Sequence, residues 1–147
     1  MLFSAQQMFS EAQVTSGASE VSDNVIDLGA TGTVHGAPAA LVRDIGKGNP
    51  IPIVVRLMAA AGGTSPTLIV TVERDTVENF ASAEVVATSV THTAGAAGDE
   101  IYLDVYLPEG ANQQYLRLNY TTGGTTPVYT ITAGVVLGKQ SNVVPGA

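Results

Sequence analysis

Apolar residues recur at every second position through most of this chain, and that period of two restricts the fold more than any other feature. In "PIPIVVRLM" Ile51, Ile53, Val55 and Leu57 share one face, with Arg56 on the other. "TLIVTVER" sets Leu68, Val70 and Val72 against Ile69, Thr71 and Glu73. "EIYLDVYLP" sets Ile101, Leu103, Val105 and Leu107 against Tyr102, Asp104 and Tyr106. Successive side chains of a β-strand point to opposite sides, so these runs predict half-buried strands, apolar inward and polar outward. The late stretch "QQYLRLNYTTGGTTPVYTITAGVVL" carries the signal twice, in Leu116, Leu118 and Tyr120, then in Tyr129, Ile131, Ala133, Val135 and Leu137. It predicts two antiparallel neighbours joined by a turn within Thr121–Pro127. Weaker strand patterns lie in "NVIDLG", "AEVVATSVTH" and "AALVRDIG".

Turn signals punctuate these runs at nearly regular spacing: "GATGTVHGAP", "GKGNP", "AAGGTSP", "TAGAAGDE", "PEGAN" and "TTGGTTP". Seven or eight short strands so divided predict an all-β, single-domain antiparallel sandwich or barrel. A two-sheet jelly roll closes its edges in about this length and is preferred to an immunoglobulin-like sandwich, whose Cys–Trp–Cys markers are absent. Helix is expected at most in "SAQQMFSEAQ" and "DTVENFASA", two turns or so each. The expected organisation is an N-terminal arm at 1–20, a β-sandwich at 21–138 and a C-terminal tail at 139–147.

The chain holds 147 residues with no cysteine, thirteen acidic and six basic residues, and a net charge of −7. Having no cysteine excludes disulfides, thiolate metal sites and a Cys nucleophile. The six cations are scattered, whereas displacing counterions from phosphate needs them clustered. Nucleic acid and anionic membrane are therefore not expected partners. No apolar run approaches the roughly 20 residues of a membrane span. The start "MLFSAQQMFSEAQ" lacks the basic residue and apolar run of a signal peptide, so a soluble protein is expected. Only 13% of residues are charged. A surface so poor in charge suits protein contact, because interface cores are depleted of charge.

Residues that could carry chemistry are few. His35 and His92 both fall in loop-like segments, and pairing either with Asp99 or Glu100 would give at best a weak metal site, so none is expected. No G-x-S-x-G elbow holds a nucleophile, and neither "GATGTVHG" nor "DIGKGNP" sits between a strand and a helix as a phosphate cradle must. Asp99 and Glu100 are adjacent in a strand and point to opposite faces, so they cannot flank one glycosidic bond. No catalytic residue and no cofactor is expected. The candidates that remain are contacts. Tyr102 and Tyr106 flank Asp104 on one strand face, where they could meet a partner, stack a sugar, or cover a second sheet of the same domain. Leu2, Phe3, Met8 and Phe9 gather apolar anchors at a terminus that would otherwise fray, suggesting an arm that docks on its own domain or on a neighbour.

The segments "FSEAQ", "SDNVIDLG", "RDIGKGNPIPIVVR", "QYLRLNYT" and "YTITAGVVL", in this order and spacing, resemble the jelly-roll capsid cement (decoration) proteins of tailed bacteriophages. The resemblance spans about Phe9 to Leu137 and is weakest from Ala59 to Gly98. It implies a non-enzymatic virion protein, made in the host cytoplasm and seated on the outer surface of the head. There it would bridge major capsid protein subunits, as a dimer or trimer, against the pressure of packaged DNA. The other expectation is a glycan- or receptor-binding module of a phage particle, which would need exposed aromatic residues in a groove.

Overall fold

In a computed structural model, the structure describes residues 4–41, 50–107 and 113–137. Among these residues nine strands follow one another: β1 Met8–Thr15, β2 Ser19–Val21, β3 Ile26–Asp27, β4 Ile51–Leu57, β5 Gly62–Asp75, β6 Glu84–Thr88, β7 His92–Thr93, β8 Glu100–Val105 and β9 Tyr115–Val135. Every pairing is antiparallel. The alternation therefore means what the sequence suggested, an all-β antiparallel sandwich.

β9 is the spine. Along one side run β1, β2 and β3, from Met8 opposite Gly134 to Asp27 opposite Tyr115. Along the other run β4, from Ile53 opposite Val135, and then β5, ending with Asp75 opposite Tyr115. β8 extends the sheet beyond β4, while β6 and β7 extend it beyond β5. β9 thus belongs to both layers of the sandwich, its first half in one and its second half in the other. Between the layers lies one core of Phe9, Ile53, Val55, Leu57, Leu68, Val70, Val72, Ile101, Leu103, Val105, Leu116, Leu118, Tyr120, Tyr129, Ile131 and Ala133.

The expected turn at Thr121–Pro127 is not there, because β9 passes through it as a continuous strand. Its inward residues are even-numbered up to Tyr120 and odd-numbered from Tyr129, so the strand must gain one residue in between to keep a single face on the core. A bulge supplies it, and β5 carries a matching one. Thr64 lies opposite Thr125, with Gly62 opposite Val128 on one side and Thr67 opposite Gly123 on the other. The segments Gly62–Pro66 and Gly123–Pro127 read GGTSP and GGTTP, and they face each other about a local two-fold centred on Thr64 and Thr125. In both, the second glycine and the fourth residue have positive φ: Gly63 at 96° and Ser65 at 50°, Gly124 at 104° and Thr126 at 48°. A Cβ on Gly63 would collide with the Thr126 carbonyl oxygen, and one on Gly124 would lie 2.5 Å from that of Ser65. Only glycine allows the two backbones to approach so closely at this corner.

Other expectations also yield. Apart from a single 3-10 turn at Ala5–Gln7, "SAQQMFSEAQ" is strand, because Phe9 is drawn fully into the core and β1 pairs with β9. "DTVENFASA" forms turns around Phe80, whose φ of 52° is not helical. The arm expected at 1–20 is part of the body from Met8 onward. Leu137, expected in the core, is fully exposed. "AALVRDIG" has no strand at Ala39–Leu41, and its remainder lies outside the described residues, as does the tail at 139–147.

Candidate interaction surface

The residues expected to make contacts scatter. Leu2 and Phe3 lie outside the described residues. Met8 is half-buried at the start of β1, and Phe9 is a core residue with no exposed surface, so it cannot anchor a partner. Tyr102 is half-buried on the outward side of β8, opposite Val54, and its hydroxyl donates to Glu100 Oε2 at 2.6 Å. Tyr106, just past β8, is 58% exposed. The Tyr–Asp–Tyr stripe is therefore one engaged and one free tyrosine.

Polar side chains mostly fasten loops to the body. Arg117 on β9 donates to Glu73 on β5 at 2.7 Å and stacks over the Phe80 ring at 4.2 Å. Arg74 grips Glu84 across the β5–β6 pair through two bonds of 3.0 Å. Asp75 accepts from the backbone N–H groups of Thr76, Val77 and Ser82, pinning the 76–82 loop. Burial pushes the Asp75 carboxyl up, but these donors outweigh it and hold it below its ordinary value. His92 and Asp99 lie 3.6 Å apart across the 94–99 loop, which is also stitched to β4 through Leu57. Among the described residues no group of three or more His, Cys, Asp or Glu side chains could hold a metal ion. None of their helices is long and apolar enough to cross a membrane.

One segment differs from all of these. After β3, Leu28 N–H still donates to the Gln114 carbonyl, while Asp27 Oδ1 accepts from Gly29 N–H at 2.7 Å and from Gln114 Nε2 at 2.8 Å. This fixes the exit of the chain to Gln114, the residue just before β9. The chain then leaves the sheet, and every residue from Gly32 to Leu41 is exposed. Its described hydrogen bonds are internal. Ala37 N–H donates to Val34 O at 2.9 Å, closing a tight turn with His35 at its apex, and Leu41 N–H donates to Gly32 O at 2.8 Å. Gly36, at φ 80°, holds the turn position that favours glycine. Val34 is 55% exposed and Leu41 54%. From Leu28 to Leu41 there is no Asp, Glu, Lys or Arg. Sequence reading took this stretch as a turn and a weak strand. The signal that marks it is the long run without charge or period.

No curated protein matches the chain. The family model described as Bbp16 matches residues 9–137, from the buried Phe9 of β1 to Leu137 just past the end of β9, and so takes in the whole spine with both its flanks. The chain belongs to the Bbp16 family.

Proposed function

We propose that this protein is a cement protein of a tailed-phage head, a structural and non-enzymatic component that sits on the outer surface of the shell. It bridges neighbouring major capsid protein subunits and stiffens the shell against packaged DNA. The observation that carries the reading is an exposed segment without Asp, Glu, Lys or Arg at 32–41, beside a β body in which each described strand has at least one partner. A rigid body with a protein-contact element is what such a role asks for. The sequence resemblance to jelly-roll cement proteins over about Phe9 to Leu137 supports it, and a jelly-roll description of the sandwich is part of the same reading. The net charge of −7 also suits a surface that faces away from DNA. Self-association as a dimer or trimer belongs to the proposal. Each contact can be modest, because many copies on a lattice bind multivalently.

The test is addition of purified protein to empty heads that lack it. Binding and a raised disruption temperature are expected, and heads that take up none would remove the reading. A glycan- or receptor-binding role is the second reading, favoured by the free Tyr106 beside Tyr102. It predicts hits on a glycan array that disappear in Y106A.

A further inference from the structure

Two buried hydroxyls stand outside the hydrogen-bond network of the sheets. Thr15, the last residue of β1, lies directly opposite Tyr129 of β9, and neither has any exposed surface. The adjacent pair is Val14 opposite Thr130, with Val14 58% exposed, so Thr15 and Tyr129 share the inward side. Thr15 Oγ1 and Tyr129 OH are buried atoms, and neither has a hydrogen-bond partner among the described residues, one another included. Earlier on the same strand the equivalent groups do meet, Ser10 Oγ lying 2.7 Å from Tyr120 OH. A buried hydroxyl without a partner is costly, and native interiors satisfy such groups with protein or with ordered water. The place also has room in its bonding for a solvent molecule. β1 leaves the second half of β9 at Thr15, and β2 takes up the first half only at Ser19, opposite Thr121. Between them Thr122 is tied to the connection, its N–H to Ala18 O at 3.2 Å and its Oγ1 to Gly17 O at 2.6 Å. Residues 123–128 of β9 pair with neither β1 nor β2. The ladder lapses on this side, at the same corner that the paired glycines shape.

We propose that Thr15 and Tyr129 hold one internal water, which bridges their hydroxyls at the corner where the chain passes from β1 to β2. Each hydroxyl can both donate and accept, so one water can bond the two and still reach a backbone group of the lapsed ladder. About three such bonds is what a buried water makes. The water is then a structural ligand of the core. It fastens the end of β1 to the spine, as Ser10 and Tyr120 fasten its beginning directly. These two points fix a register that apolar alternation leaves open, since β1 shifts register twice before Gln13.

The experiment compares urea unfolding of the full chain for wild type, T15V, Y129F and T15V/Y129F, alongside a high-resolution crystal structure of the wild type. Val and Phe keep the shapes of Thr and Tyr and remove the hydroxyls. Hydrated and dry hydroxyls differ in the sign of the effect. With a shared water, each single substitution takes away one of its bonds and should lower the folding constant roughly fivefold. The double variant should lie nearer to one such loss than to the product of two, because the second removal costs little once the bridge has gone. The crystal should show a solvent peak about 2.8 Å from both oxygens. Dry hydroxyls would instead make each substitution remove an unsatisfied group, so a raised folding constant in either single variant overturns the proposal. Losses that multiply in the double variant overturn it as well, since they mean separate partners. So does a wild-type crystal in which the two hydroxyls bond directly or no solvent peak joins them, and that reading stands even where a variant fails to fold.

Discussion

At the scale of single residues, two tyrosines are buried in ways that make stability depend on alkaline pH. Tyr120 has no exposed surface, and its hydroxyl meets Ser10 Oγ at 2.7 Å. Ser10 gives its own proton to Gln13 Oε1, so Tyr120 is the donor to Ser10. Tyr129 is equally buried, and its hydroxyl has no hydrogen-bond partner among the described residues. Burial disfavours the phenolate and pushes both hydroxyls above the ordinary value of 10.0. Above that pH the unfolded chain releases protons that the folded chain retains, so stability falls as pH rises. Each tyrosine contributes a slope of up to about 1.4 kcal/mol per pH unit. Urea midpoints measured from pH 8 to 11 should be flat and then decline, and Y120F should decline less steeply. Equal slopes for the two proteins would show that Tyr120 does not titrate as described. At neutral pH Y120F should cost about 1 kcal/mol, because Ser10 Oγ loses its donor while keeping its bond to Gln13.

Among the elements, the paired corner is the most constrained. Gly124→Ala puts a Cβ 2.5 Å from a backbone oxygen at φ 104°, whereas Gly98→Ala, at φ 92°, meets nothing within 4 Å. G98A should cost about 1 kcal/mol from backbone conformation. G124A should cost roughly 2–4 kcal/mol and lower the thermal midpoint by roughly 5–15 °C. A G124A loss no larger than that of G98A would mean that the corner relaxes. The 76–82 loop offers a local test. Asp75→Asn places a donor where a carboxylate oxygen accepts from Ser82 N–H, so hydrogen exchange at Ser82 should speed up while the β5 amides stay protected. Because its carboxyl sits below its ordinary value, Asp75 adds stability above the usual carboxylate range, and acidification removes it. These elements also show what could be read in advance. Strands β4, β5, β8 and both halves of β9 were legible, since alternation reports directly which side of a strand meets a core. The joint inside β9 was not. A Gly-Gly pair signals positive φ in a hairpin turn and in a bulge alike, and the matching bulge in β5 that decides between them lies 61 residues earlier. Phe9 was misjudged because its neighbours alternate poorly, β1 being interrupted by the Ala12 bulge at φ 50°. The segment at 32–41 escaped because a surface without charge has no period to detect.

For the whole molecule, nearly every element depends on β9, which supplies a partner to β1, β2, β3, β4 and β5. A chain ending at Gln114 should show no cooperative unfolding transition by circular dichroism, since its two layers would share no strand. A sharp transition in that chain would show the remaining strands to be self-sufficient. The intact chain pairs residues as distant as Met8 and Gly134, and such remote pairings place refolding in the millisecond-to-second range. The position of β9 also has a consequence for how the protein is made. Translation delivers the spine after everything it must join, so a nascent chain carries β1 to β8 with their apolar faces unpaired until β9 clears the ribosome exit tunnel. The pairs β4–β8 and β5–β6 can form earlier, but joining the two layers must wait for β9. Until then the waiting apolar faces and strand edges are the surfaces most open to aggregation.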